Sequence, residues 1–498
     1  MLPGLARSTT GAPEKRQFRE PRWGGIVKGV AICSQPLAAQ AGAEVMRRGG
    51  NAVDAAVSVA ATLCVVDPAN CGFAGYGGYM IIQSPGEGEA WTVDFNTSVP
   101  EGFRADHLAR ASRCGVFANG PLSVAMPAVP RGLEQAHRRF GSRSFSELLA
   151  PAIDAAERGF AIDRNLAKAI RWATRRSAAP EPEWARIFCP GGTPLREDDV
   201  LVQQDLANTL RGYAGSPETI YAQAPFAHLW NHLALRTHDS WWYDRLASTV
   251  SVKRAEAVES GDMLVYGPTP HESGFGIFKT ALAYYLEESA APAGRTGSSL
   301  DLAAFIGGLR LAWRERAAEY AETEPVTRHT SHFCVLDPDG MLVSCTFTHG
   351  PLWFGSGVVV PGTGLLLNCG LNLARYSWRR NTWVAVNNMT PVVAIADRGA
   401  RYAIGAPGGS RIPAIVLKTT IESVLGGLPI STSIARPRIS ISPDGALECE
   451  RDAGIEGSTR ELTAEDFYGP ASAIHVDDEA GGIDVGMDPR CASATAWV

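Results

Sequence analysis

The sequence lacks the patterns by which metal, nucleotide and membrane proteins are commonly identified. Its 10 cysteines form no CxxC pair and no cysteine–histidine cluster with zinc spacing, so neither a metal nor an organic cofactor is expected. No apolar run reaches the length of about 20 residues that spans a bilayer, and Met1 to Gly25 contains no apolar segment typical of a secretory signal. The glycine-rich segment 71–78 lacks the GK[ST] of a phosphate-binding loop and precedes a predicted strand, not a helix. A crowded backbone turn near an active site is the better interpretation of this segment.

An excess of charge of either sign is also absent. The 498 residues carry a net charge of −6, with 45% hydrophobic and 20% charged residues, which is ordinary for a globular protein. No block of lysine or arginine stands out, so neither nucleic acid nor a membrane is expected as a partner. Several cysteines lie inside apolar runs, where a reduced core thiol is the natural interpretation, and this favours a cytoplasmic location.

The pattern along the chain predicts a loose lead-in over residues 1–26, followed by helices that flank runs of antiparallel strands. Such an order is typical of an α+β domain with αββα layers. The clearest predicted strands are Val27–Ser34, Tyr79–Gln83, Trp91–Phe95, Ser331–Leu336 and Met341–Thr348. The clearest predicted helices are Pro36–Arg48, Ala55–Val66, Ile277–Glu287, Leu302–Tyr320 and Ile412–Leu425.

Two of these strands predict a hairpin that begins at a threonine. The first, Ser331 to Leu336, enters a turn at Asp337-Pro-Asp-Gly, and the second returns so that Thr348 lies near Thr330. A threonine hydroxyl is a poor nucleophile, and no Ser/His/Asp set is evident around this one. If the chain is cut just before Thr330, the new α-amine can act as its base, because the ordinary pKa of such an amine is about 8.

Seven short segments, taken in order, resemble the γ-glutamyltransferase family of N-terminal-nucleophile hydrolases. The resemblance extends from about residue 27 to residue 490. The segments are Gly49-Gly-Asn-Ala-Val-Asp-Ala-Ala-Val, the glycine-rich turn before Tyr79-Met80, Ser144-Phe-Ser-Glu-Leu-Leu-Ala-Pro-Ala-Ile, Thr330-Ser331-His332, Phe354-Gly-Ser-Gly, Pro407-Gly-Gly-Ser-Arg-Ile and Asp488-Pro489-Arg490.

The resemblance implies a four-layer αββα sandwich, one domain formed by two subunits of a self-cleaving precursor. Cleavage between His329 and Thr330 would give a large subunit, with residues 27–329 in the domain, and a small subunit of residues 330–498. Thr330 would be the nucleophile and its amine the base, with Thr348 orienting it. Gly408 and Gly409 would supply the backbone N–H groups of an oxyanion hole, which suits two unhindered glycines before a helix. The implied partner is a small-molecule acyl substrate, and a heterotetramer of two processed chains is left open.

Departures from the family pattern fall at the predicted substrate-binding positions. Asn96 stands where the family has an arginine for the substrate carboxylate, and Leu373, in the segment that contains Gly370, stands where it has an acid for the substrate amine. Asn387 and Asn388 replace a pair of serines. Losing two charged anchors costs about 3–6 kcal/mol, roughly a hundred- to ten-thousandfold in affinity. Arg375, Arg379 and Arg380 are interpreted as surface charges, not as replacements. His332 matches the family segment but is equally interpretable as packed structure.

Three functions are compatible with this pattern. The favoured one is an autoprocessed threonine hydrolase that cleaves an amide or an activated C–C bond of a small molecule other than glutathione. The second is a γ-glutamyl hydrolase or transferase with relocated anchors. The third is an unprocessed, catalytically silent binding protein.

Overall fold

The computed structural model describes residues 28–99, 103–110, 112–114, 117–176, 181–217, 250–260, 263–289, 300–320, 329–396, 399–453, 455, 460–463, 470–477 and 481–498. The lead-in predicted over residues 1–26 lies outside the described residues. So does the segment 321–328, which precedes the predicted cleavage point.

The strands form two large antiparallel sheets and several small ones. The larger sheet has seven strands in the order β24-β1-β11-β12-β2-β3-β8, and the second has six in the order β23-β22-β18-β17-β10-β9. The strands are Val30–Cys33 (β1), Gly77–Gln83 (β2), Trp91–Asp94 (β3), Ser112–Cys114 (β4), Phe117–Asn119 (β5), Phe160–Ala161 (β6), Val200–Leu201 (β7), Ser251–Arg254 (β8), Glu256–Ser260 (β9), Met263–Gly267 (β10), Ser331–Leu336 (β11), Leu342–Thr348 (β12), Val359–Val360 (β13), Leu365–Leu366 (β14), Ala374–Ser377 (β15), Thr382–Ala385 (β16), Val392–Ile395 (β17), Ala400–Gly405 (β18), Ile439–Ile441 (β19), Leu447–Glu450 (β20), Arg460–Leu462 (β21), Ser472–Asp477 (β22), Gly482–Met487 (β23) and Ala494–Trp497 (β24).

Helices cover the outer face of each sheet. They are Pro36–Arg47 (α1), Ala52–Val66 (α2), Ala105–Ala109 (α3), Val129–Phe140 (α4), Phe145–Arg158 (α5), Arg164–Arg176 (α6), Pro182–Phe188 (α7), Gln204–Gly215 (α8), Phe275–Glu288 (α9), Leu302–Glu319 (α10), Ile412–Thr419 (α11) and Ile430–Ala435 (α12). Local sequence fixes their starts: Pro36 occupies the first turn of α1, and Asn51 with Asp54 forms a capping box at α2. Among the described helices, none is both long enough and apolar enough to cross a membrane.

Three apolar layers hold this stack together. One lies between the seven-stranded sheet and the helices that include α1 and α2, and another between the six-stranded sheet and the helices that include α9 and α11. The middle layer, with Ile81, Leu342 and Val393, is shared by the two sheets. The αββα architecture of an α+β fold is therefore confirmed, and burial of all three layers is what stabilises it.

The helix predicted over Ile412–Leu425 changes character before its end. It is α-helical to Thr419 and continues as a π-helix over Thr420–Leu425. The hydroxyl groups of Thr419 and Thr420 donate to the carbonyl oxygens of Ile415 and Val416 at 3.0 and 2.8 Å. Such side-chain bonds compete with the helical backbone pattern. Sequence periodicity does not register this change.

Candidate active site

The predicted hairpin forms and brings its two threonines together. β11 and β12 pair with Ser331 opposite Phe347, so Thr330 and Thr348 lie at the same end. The Thr348 hydroxyl donates to the carbonyl oxygen of His329 at 3.0 Å, and the Thr330 hydroxyl donates to that same oxygen at 2.5 Å. Both threonines are buried. The predicted scissile carbonyl is thus in contact with the predicted nucleophile and with a second hydroxyl.

The orientation of the Thr348 hydroxyl is fixed by its own backbone. The N–H of Gly350 donates to the Thr348 oxygen at 2.9 Å. Since that oxygen is accepting a hydrogen bond, its proton is directed away, and the carbonyl of His329 is the nearer acceptor. Thr348 can therefore withdraw electron density from the carbonyl that Thr330 would attack.

The glycine-rich turn packs against this end of the hairpin. β12 pairs with β2 on its other edge, with Thr348 opposite Gly77. A Cβ atom at Gly77 would lie 2.0 Å from the carbonyl oxygen of Phe95, and one at Gly78 would lie 2.3 Å from that of Thr346. Only glycine fits at such a close backbone approach, so the interpretation of segment 71–78 as a crowded turn near the site is confirmed.

Gly408 and Gly409 follow β18 and precede α11, as predicted. Their φ angles are +133° and +61°, values that favour glycine. A Cβ atom at Gly408 would have 3.7 Å of clearance, so conformation and not space requires glycine there. Gly409 lines the cavity beside Thr330, whereas Gly408 lies outside its lining.

The cavity at Thr330 is small and carries no charged side chain among its described lining residues. Its volume of about 20 Å³ is enough for roughly one water molecule. The lining residues are Tyr76, His329, Thr330, Thr348, Gly350, Pro351, Leu373, Asn387, Asn388, Met389, Gly409 and Ile412. Of the residues predicted for the site, the structure brings together Thr330, Thr348, His329, Gly409, Leu373, Asn387 and Asn388.

Asn387 is held by the protein itself. Its side-chain amide donates to the Tyr79 hydroxyl at 3.1 Å, and its side-chain oxygen accepts the N–H of Met389 at 3.0 Å. Its carbonyl oxygen accepts a bond of 2.6 Å from the buried guanidinium of Arg316. Burial raises the pKa of Tyr79 well above its ordinary value, so the phenol stays protonated. Asn387 therefore shapes the wall of the cavity, a role that the sequence did not indicate.

Two residues predicted to contact substrate lie outside the lining of the cavity. Asn96 is buried, and its side-chain amide donates to the carbonyl of Ala385 at 3.4 Å. Gly370 packs against Tyr76, where an added Cβ atom would lie 2.6 Å from that side chain. Gly370 thus supports a lining residue without lining the cavity itself.

The three arginines interpreted as surface charges divide into two groups. Arg379 and Arg380 are exposed, and Arg380 pairs with Glu272. For Arg375 the interpretation was wrong, because its side chain is buried and donates to the carbonyl oxygens of Asn372 and Ala374 at 2.9 and 2.8 Å. A buried guanidinium needs such acceptors, and they are backbone groups that periodicity cannot reveal.

His332 is packed structure. Its Nδ1 lies 2.9 Å from the hydroxyl of Thr346, and its Nε2 lies 3.2 Å from the sulfur of Cys334. Burial lowers the pKa of His332 to about 3, so the ring is neutral near pH 7. It therefore has no positive charge to offer a substrate.

Sequence analysis missed several contacts at the site. The ring of Trp353 packs on that of His329, with centroids 4.7 Å apart, and the hydroxyl of Ser331 donates to Asp67 at 2.6 Å. Trp353 and Asp67 also line a groove of about 1130 Å³ beside α6, a helix with five lysine or arginine residues that the composition had not singled out. Two weak sequence signals could have indicated these contacts. They are the aspartate directly after the apolar helix α2 and the basic residues of α6. Among the described residues, no cluster of side chains suited to a metal ion occurs.

Comparisons with a family model, with related sequences and with a solved structure agree with one another. Residues 38–226 and 302–497 match the model of the family described as gamma-glutamyltranspeptidase. The glutathione hydrolase proenzyme of Bacillus subtilis (strain 168) is 27% identical, over 82% of this chain and 80% of the relative. The acylase ACY 1 proenzyme of Pseudomonas sp. (strain V22) is 26% identical, over 85% and 84%. The crystal structure of cephalosporin acylase from Bacillus halodurans superposes with a TM-score of 0.78 at 21% identity, covering 98% of this chain and 99% of that one, which is a likeness of fold.

Proposed function

Since the chain belongs to the gamma-glutamyltranspeptidase family and is a hydrolase or acyltransferase of that family, we propose that it cuts itself before Thr330 and then cleaves acyl bonds of a small molecule through Thr330. The two hydroxyl groups on the His329 carbonyl support the first step. The uncharged wall of the cavity supports a substrate without a free amino-acid head.

The contacts at His329 support the following steps of self-cleavage. The Thr330 hydroxyl oxygen attacks the His329 carbonyl carbon, the peptide C–N bond breaks, and the hydroxyl proton passes to the new α-amine. Thr348 stabilises the negative charge that develops on the carbonyl oxygen. Water then hydrolyses the ester, which leaves His329 with a carboxylate and Thr330 with a free amine and hydroxyl.

The mature site repeats this chemistry on a substrate. The α-amine of Thr330 takes the proton of its own hydroxyl, and the hydroxyl oxygen attacks the acyl carbon of the substrate. Backbone N–H groups at Gly408 and Gly409 are assigned to the resulting oxyanion. The ammonium returns its proton to the leaving group, and water releases the acyl group. The same steps serve an amide or an activated C–C bond next to a carbonyl.

The observation that carries the substrate class is the absence of a charged side chain among the described residues that line the cavity. Leu373 lies in that wall, at the position where the resemblance places an acid. An apolar side chain cannot compensate the ammonium group of a γ-glutamyl substrate, and leaving such a charge unpaired is costly. A neutral acyl group carries no charge that would be left unpaired there. The relatives named acylase match this expectation better than those named glutathione hydrolase.

Three chromogenic substrates test the proposal. The mature enzyme is given γ-glutamyl-p-nitroanilide and the glutaryl and butyryl p-nitroanilides, which lack the α-amine or both charged groups. We expect a higher kcat/KM for the acyl anilides without the amino-acid head. A higher kcat/KM for the γ-glutamyl compound would instead favour a γ-glutamyl enzyme with relocated anchors, for which the buried Arg375 would be the first residue to mutate.

A further inference from the structure

Asp67 is a buried carboxylate next to the nucleophile that the reaction steps above do not use. It directly follows α2, and the residue is 6% exposed. One carboxylate oxygen accepts the Ser331 hydroxyl at 2.6 Å, and the other accepts the side-chain amide of Asn70 at 2.9 Å. Ser331 is bonded to Thr330 in the chain, so the carboxylate holds the residue directly after the nucleophile.

The turn that carries Asp67 is also attached to the chain beyond the second threonine. The carbonyl of Asn70 accepts the N–H of His349 at 3.2 Å, and that of Ala69 accepts the N–H of Phe354 at 3.0 Å. The turn thus contacts residues that follow Thr330 and residues that follow Thr348. The turn therefore links the chain after Thr330 to the chain after Thr348.

From this geometry we propose that Asp67 is a positioning residue, which acts through the Ser331 hydroxyl to hold Thr330 in line with the carbonyl it attacks. The inference rests on the proposed self-cleavage. It adds that the ionised carboxylate is the competent form, because only a carboxylate accepts from Ser331 and Asn70 at once.

The surroundings of Asp67 place its ionisation near neutrality. Burial raises the pKa of Asp67 to about 7, with a further contribution from Asp163, against hydrogen bonds that lower it. Burial also raises the pKa values of the neighbouring Cys33 and Cys71 thiols, so these stay neutral. The cations that share its groove are Arg164, Lys168, Arg171, Arg175, Arg176 and Arg490.

The sign of the expected effect separates positioning from stability. Because the pKa of Asp67 is raised in the folded state, the fold takes up a proton before the unfolded chain does, and this group favours folding as pH falls from 7 to 4. Self-cleavage should change in the opposite direction, slowing as pH falls through about 7. If protonation of Asp67 acted only through the stability of the fold, it could not slow self-cleavage as pH falls.

The test follows self-cleavage of the full chain and needs no external substrate. Full-length protein made by cell-free translation is shifted to buffers between pH 5.5 and 9, and the conversion of the 53.1 kDa chain is timed by denaturing electrophoresis. We expect a step in the rate near pH 7 for the wild type. The step should be lost in Asp67→Asn and in Ser331→Ala, and kept in Ser331→Thr, which restores the hydroxyl. Asp163→Asn is the matched control, because it removes a carboxylate of the same groove that bonds Gln35. It should keep the step but move it to lower pH, since the Asp163 charge contributes to the raised pKa of Asp67.

Each outcome decides the proposal. A step that persists in folded Asp67→Asn or Ser331→Ala, or that disappears in Asp163→Asn, overturns it. Circular dichroism of each variant shows whether it folds. Asp67→Asn should fold, because the amide has the shape of the carboxylate and avoids the cost of burying a charge. A wild type that cleaves without a pH step also overturns the inference about Asp67. A wild-type chain that never cleaves would instead contradict the proposed function itself.

Discussion

At the scale of single residues, two side-chain hydroxyl groups contact the carbonyl oxygen of His329. Thr330 and Thr348 both donate to the oxygen of His329. The imidazole of His332, the most obvious polar side chain of the family segment, is neutral and packed. A pair of hydroxyls can polarise a carbonyl without a counter-charge in a cavity this closed.

Thr348→Ala should slow self-cleavage by about a hundred- to a thousandfold, the usual cost of removing one oxyanion donor. Thr348→Ser keeps the hydroxyl and should cleave at a rate near that of the wild type. Timed electrophoresis of freshly made chains measures both. Thr346→Ala is the control, because the same truncation in the same strand removes a hydroxyl that bonds His332 and not His329. Equal rates for Thr348→Ala and the wild type would remove Thr348 from the mechanism.

At the scale of elements, the sequence predicted the bounds of helices and strands but not the tertiary contacts between them. The hairpin β11–β12 and helices α1, α9 and α10 lie within two or three residues of their predicted bounds, since apolar periodicity and turn residues act over a few positions. The bond from Ser331 to Asp67 spans 264 positions of sequence. Nothing in a single sequence pairs residues so far apart. The burial of Arg375 was missed for another reason, because its acceptors are nearby backbone carbonyl groups, which apolar periodicity does not reveal.

The turn between β18 and α11 gives an element-scale prediction. Alanine at Gly408 must adopt a φ of +133°, which costs about 1–3 kcal/mol and would shift the amides assigned to the oxyanion. Gly408→Ala should therefore lose stability and also at least tenfold in kcat. The measurements are thermal unfolding and hydrolysis of the best acyl anilide.

Gly445→Ala is the matched control for that variant. Gly445 also has a positive φ, +86°, but lies in the turn between β19 and β20, away from the site. It should lose stability and keep kcat. If Gly408→Ala keeps kcat as well, this turn does not supply the oxyanion hole.

At the scale of the whole molecule, the two predicted subunits share both sheets. Strands β11 and β12, which follow the predicted cleavage point, lie between β1 and β2, which precede it, and the last strand β24 pairs with β1. In the second sheet β17 pairs with β10. Cleavage would therefore leave no separable domain on either side. The division into residues 27–329 and 330–498 remains a prediction of where the chain is cut, and the two parts form one fold.

Both fragments should elute together in gel filtration without denaturant, because separating them exposes the apolar layer between the sheets. They should separate only at the denaturant concentration that abolishes the native circular dichroism signal. Elution as two independent folded species would contradict the shared-sheet arrangement.

Whether Thr330 cuts the peptide bond that precedes it is decided by the intact mass of the purified chain with and without Thr330→Ala. We expect two wild-type fragments that meet between His329 and Thr330, and a single mass of 53.1 kDa for the variant. An active wild type of one uncut chain, or a variant that still splits at that bond, would contradict self-cleavage by Thr330.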